Sequence, residues 1–90
     1  MSYERTYVDP MKAKLAAFIK TEVEKIFNEI NKVTDERFSI EARRYWAYSC
    51  ISRSILISDM SIKMGIIQDI DVVGEVMRRI PTRYRGSVCP

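Results

Sequence analysis

The sequence predicts an all-α fold: an antiparallel helical hairpin with a short third helix, assembled as a homo-oligomeric bundle. Three observations carry this. Apolar residues recur in steps of three and four over two long segments, no stretch alternates apolar and polar residues as a half-buried strand would, and Gly and Pro number only three each. Ninety residues make one domain, and a chain this short buries a modest share of its surface alone, so a second subunit is a common remedy.

The first nine residues are polar and carry Tyr3 and Tyr7. Asp9-Pro10 then supplies an N-cap and a first helical residue. From Met11 the apolar set Leu15, Phe18, Ile19, Val23, Ile26, Phe27, Ile30 and Val33 marks one helix face, opposite Lys14, Lys20, Glu24, Lys25 and Asn28. "NKVTDER" gives a short polar connection, in which Thr34 or Asp35 can cap the next helix. That second helix runs from about Asp35 towards Met64, with Gly65 as its stop and Ser58-Asp59 as a possible kink. A third helix fits Asp71 to Arg79, with Ile70, Val73, Val76, Met77 and Ile80 on one side and Pro81 ending it. Residues 81–90 read as an irregular basic tail.

The second helix is unusual because its apolar residues cover most of the circumference. Phe38, Ala42, Tyr45 and Trp46 form one stripe; Tyr48, Ile51, Ile55 and Ile62 a second; Ala47, Cys50, Ser54 and Ile57 a third. A hairpin covers one side of each helix. Either the third helix covers the rest, giving a monomeric three-helix bundle, or another copy of the chain does. The second is expected, with this helix near the centre of the assembly.

Composition narrows the chemistry. The chain has no histidine, which removes the commonest general base and the usual zinc ligand. Cys50 and Cys89 are far apart in sequence and form no CxxC pair, so neither a disulfide nor a metal site is expected, and Cys50 reads as a small buried residue. Asp69 and Asp71, like Asp35-Glu36, read as capping groups rather than catalytic carboxylates. No phosphate loop or triad is present, so no enzyme, cofactor or metal is expected. No run of eighteen apolar residues exists and the N-terminus lacks the apolar core of a signal peptide, so a cytoplasmic protein without a membrane span is expected. The net charge of +3 mildly favours an anionic partner.

Arg53 stands in a row of small and apolar residues. A guanidinium costs too much to bury alone, so its partner is either a carboxylate of the first helix (Glu22, Glu24 or Glu29) or a ligand phosphate.

The N-terminal tyrosine, the first-helix "FIK", and the run "ER-F-x-x-x-AR" leading into "RSI" together resemble the small phage anti-CBASS proteins that act as cyclic-nucleotide sponges. The resemblance covers roughly residues 3 to 55. It implies a homo-oligomer, a hexamer in that family, that binds cyclic dinucleotides and cyclic trinucleotides without cleaving them, and so shields a phage from signalling in its host's cytoplasm. The family's base-stacking tyrosine would correspond to Tyr7, with Tyr3 as the alternative. Its phosphate-binding lysine would correspond to Lys20, with Lys14 as the alternative, and Thr21 lies beside it. The arginine of its trinucleotide site would correspond to Arg53. Such binding suits aromatic platforms and cations supplied twice by a two-fold interface.

Two other readings remain beside it. Met11, Met60, Met64 and Met77 suit a protein-interaction module acting on a host enzyme. Arg78, Arg79, Arg83 and Arg85, with Tyr84 interleaved, suit phosphate contacts plus stacking on nucleic acid, although linear nucleic acid is not the expected partner.

Overall fold

The computed structural model describes residues 9–85. The chain is all-helical over them: α1 (Pro10–Thr34), α2 (Ile40–Met64), α3 (Val72–Arg79) and α4 (Thr82–Arg85), with α1 and α2 packed as the hairpin and the two short helices laid against α2. The result is elongated, 57 × 26 × 18 Å.

Local chemistry sets each boundary. The Asp9 carboxylate accepts from the Met11 N–H, and Pro10 occupies the first turn, where no N–H is needed. α1 ends at Thr34, and Asp35 serves as its C-cap. The second helix therefore starts five residues later than expected, because Ser39, not Thr34 or Asp35, caps it by accepting from the Ala42 N–H. The Asp35 carboxylate is engaged instead by the N–H and guanidinium of Arg37. α2 then runs unbroken through Ser58-Asp59. It stops at Gly65, whose φ of 69° is the left-handed region open to glycine, with Gly65 and Ile66 N–H groups closing on the Ile62 and Ser61 carbonyls. In α3 the Asp71 carboxylate folds over the backbone to meet the Gly74 N–H, in the space a Cβ at residue 74 would fill.

Packing follows a division of sizes. α2 turns Ala47, Cys50, Ser54, Ile57 and Ser61 inward, all buried. Most are small, which lets α1 approach closely with Ile19, Ile26, Ile30 and Val33. Ser54 and Ser61 hydroxyls donate to the carbonyls of Ile51 and Ile57 on their own helix, so burying them strands no donor. Ile51, expected on a separate stripe, is buried too, in one core with Val72, Val76, Ile80 and Tyr84. Ser61 also accepts from Gln68, tethering the 66–71 connection to α2.

Three further expectations need correcting. On α3 and its C-cap the buried residues are Val72, Val76 and Ile80, while Val73 is half-buried and Ile70 is 48% exposed. The segment after Pro81 is not irregular throughout: Thr82–Arg85 is a helical turn, and Tyr84 is buried in the core. Phe18, read as part of the buried face of α1, is 54% exposed.

Candidate functional site

The candidate residues fall into three places. Tyr3 and Tyr7 lie outside the described residues. Lys14, Thr21 and Lys20 are all exposed on α1, but they do not share one face. At 100° per residue, Lys14, Phe18 and Thr21 stand one above another, four and three positions apart. Lys20 points elsewhere, to the rim of a groove of about 400 Å³ between α1 and the 66–70 connection. The floor of that groove is apolar, with Ile19, Val23, Ile66 and Val72, and its rim carries Glu24 and Asp69 as well as Lys20. Two carboxylates beside one ammonium make this groove a poor cradle for phosphate.

The Lys14 face is different. Phe18 presents an open aromatic ring, with the Lys14 ammonium one turn before it and Thr21 one turn after. The Thr21 hydroxyl donates to the Ala17 carbonyl, which leaves its oxygen free to accept from a ligand. Lys25 continues the stripe and pairs with Glu22 at 3.1 Å. Sequence periodicity placed Phe18 in the core, since its spacing fits the apolar face; only the packed structure shows that α2 does not reach it.

Arg53 sits between the hairpin helices. Its nearest carboxylate is Glu29 at 3.9 Å, one of the three expected partners, and its Nη2 lies 4.0 Å from the Cys50 sulfur. The pairing is long for an ion pair. The Arg53 Nε is buried and has no hydrogen-bond partner among the described residues. Glu29 is nine residues beyond Lys20, about 13 Å along α1 at 1.5 Å per residue, so one chain does not bring Arg53 and Lys20 into a single site. Burial pushes the Cys50 thiol above its usual pKa, while its Sγ faces the Ile26 carbonyl at 3.7 Å.

At the other end of the hairpin, cations lie against aromatic rings. Arg43 is buried, donates from Nε to the Val33 carbonyl at the end of α1 (2.9 Å), and stacks its guanidinium 5.0 Å from the Tyr84 ring centre. Arg83 lies 4.9 Å from the same ring, Arg79 covers Phe27 at 4.6 Å, and Lys32 covers Trp46 at 5.3 Å, whose edge meets Phe38. Arg78 and Arg79 both pair with Glu75. Arg78, Arg79 and Arg83 are exposed but already engaged by Glu75, Phe27 or Tyr84 of the same chain, and Tyr84, read from sequence as a stacking residue for bases, is buried with Arg43 and Arg83 against its ring.

Among the described residues no three His, Cys, Asp or Glu side chains converge as metal ligands, and no helix is long and apolar enough to cross a membrane. No family model, curated protein or solved structure matches the chain.

Proposed function

We propose that this chain binds and sequesters cyclic di- and trinucleotides without cleaving them, with copies of the chain assembled around the ligand. The observation that carries the reading is the α1 face on which the open ring of Phe18 stands between Lys14 and Thr21. A base needs an aromatic platform, and its phosphate needs a cation within one helical turn of that platform. Stacking contributes about 1–3 kcal/mol per base, and a lysine reaches the phosphate as a flexible point charge. A cyclic dinucleotide has two bases and two phosphates, so two copies of this face related by a two-fold axis match it group for group. The half-buried Arg53, weakly held by Glu29, is the second cation the reading assigns to phosphate, at a separate site suited to the cyclic trinucleotide. Tyr7 precedes α1 and would add a further ring.

Calorimetric titration with a panel of cyclic di- and trinucleotides, and linear dinucleotides as controls, tests the reading. Cyclic but not linear species are expected to bind at submicromolar Kd. Phe18→Ala and Lys14→Ala are each expected to weaken dinucleotide binding by about tenfold or more, in keeping with the loss of one stacking or charge contact. Tyr7→Ala weakens the same site, and Arg53→Ala affects the trinucleotide alone. Absence of heat with every cyclic species would dispose of the proposal, and unchanged affinity in Phe18→Ala and Lys14→Ala would remove this face from it.

A further inference from the structure

α2 carries two seams of the same period. The inner one, Arg43, Ala47, Cys50, Ser54, Ile57 and Ser61, advances by four, three, four, three and four residues and is buried within the chain. An outer one, Tyr45, Tyr48, Ser52, Ile55, Asp59 and Ile62, advances by three, four, three, four and three on roughly the opposite side of the helix. This is the spacing of apolar residues that holds one helix along another over several turns. Among the described residues nothing covers it: its four large apolar residues are between 48% and 78% exposed, with α3 and α4 in place. Leu56 beside them is as exposed as Tyr45. Together these five leave on the order of 700 Å² of side chain open, close to the roughly 800 Å² per partner of a stable interface and above what an isolated surface patch usually shows.

We propose that this outer seam pairs α2 with α2 of a second copy, antiparallel, about an axis between Ser52 and Ile55. The pairing supplies the second copy that the sequestration reading needs, yet it rests on the seam alone. Its residues choose the orientation. A parallel pair in register would set Asp59 against Asp59, Tyr45 against Tyr45 and Ser52 against Ser52, burying like charges, crowding two rings and leaving a void. The antiparallel pair sets Tyr45 against Ile62, Tyr48 against Asp59 and Ser52 against Ile55. Large then meets smaller at each layer, and each Asp59 carboxylate faces a tyrosine hydroxyl able to donate to it. The two Asp59 residues are separated by eleven residues of helix, about 16 Å. Arg44 comes level with the Asp59–Lys63 pair, which is already neutralised at 3.0 Å within its own chain.

The test is the mass of the full chain in solution, by sedimentation or light scattering without nucleotide, so that it is independent of the ligand. At high micromolar concentration the wild type is expected to weigh at least two chains. Ile55→Glu and Ile62→Lys change positions open to water in a single chain, so each keeps its helical circular dichroism while its mass falls to one chain. With Cys89→Ser, so that the buried Cys50 is the one native thiol left, Tyr45→Cys/Ile62→Cys is expected to form a cross-linked dimer on oxidation, whereas each single cysteine variant stays uncross-linked. A monomeric wild type, or assemblies untouched by both seam charges, would overturn the pairing; a dimer cross-linked through Tyr45→Cys alone would overturn its antiparallel sense.

Discussion

Arg43 shows how a buried charge is tolerated without a carboxylate. Its relative exposure is 8%, and among the described residues no acidic group lies within ion-pair distance. Two weaker fields replace one. Its Nε donates to the Val33 carbonyl, one of the orphan acceptors at the negative end of α1, and its guanidinium plane rests against the Tyr84 ring. Arg43→Ala deletes a charge-assisted hydrogen bond and leaves a hole between α1, α2 and α4. A loss of about 2–4 kcal/mol is expected in urea unfolding. A loss below about 0.5 kcal/mol would mean that solvent replaces both contacts. Asp35 behaves differently, because its partner is at the surface. The Arg37 guanidinium and N–H hold its pKa down at about 2, below the ordinary 3.8. A depressed carboxylate adds stability that is present above the ordinary value and is lost as pH falls through about 2. Arg37→Ala should return the Asp35 titration, followed by NMR of its carboxyl carbon, towards 3.8, and an unchanged midpoint would mean that the pair does not persist in solution.

The helix ends were the legible part of the elements wherever a residue had only one way to act. Asp9-Pro10, Gly65 and Pro81 each limit the backbone through side-chain chemistry or ring geometry, and the structure ends or starts a helix at each. The start of α2 was less legible because the connecting loop offers three oxygen-bearing caps within six residues, Thr34, Asp35 and Ser39, and Arg37 decides among them by engaging Asp35. Gly65 gives the sharpest check on this scale. Its φ of 69° costs a residue with a Cβ about 1 kcal/mol, while the space around it is open apart from the mobile tip of Lys12. Gly65→Ala is therefore expected to lower the urea midpoint by the equivalent of about 1 kcal/mol with an unchanged slope. A neutral result would show that the Schellman turn relaxes to a right-handed ending.

At the scale of the whole molecule, the same periodicity that revealed the helices hid the surfaces they present. A spacing of three and four identifies a face, but Phe18 and Ile19 both satisfy it on α1, and only the reach of α2 decides that Ile19 is buried and Phe18 is open. The same holds for the candidate site: the resemblance named Lys14, Lys20 and Thr21 together, whereas their division between two faces depends on helix rotation against a neighbour. On α3 and its C-cap the expected Val76 and Ile80 are buried, but Val72 takes the inward place expected of Val73, for the same reason. The short helices are nevertheless part of the core rather than an addition to it. Val72, Val76, Ile80 and Tyr84 are four of the twelve buried apolar residues among those described, and they share one cluster with Ile51 of α2 and Ile26 of α1. At about 1.5–3 kcal/mol for each large apolar side chain buried, removing them forfeits an amount comparable with the roughly 5–15 kcal/mol by which a domain is stable at all. The entropy no longer spent on ordering those residues offsets part of this, but the hairpin would also expose Ile51 to water. A chain ending at Gly65 is therefore expected to lose cooperative thermal unfolding and to bind a hydrophobic dye, although α1 and α2 keep their caps. Should it instead melt in one sharp transition near the full-length temperature, the hairpin is self-sufficient and the core drawn around Ile51 is not what holds the molecule together.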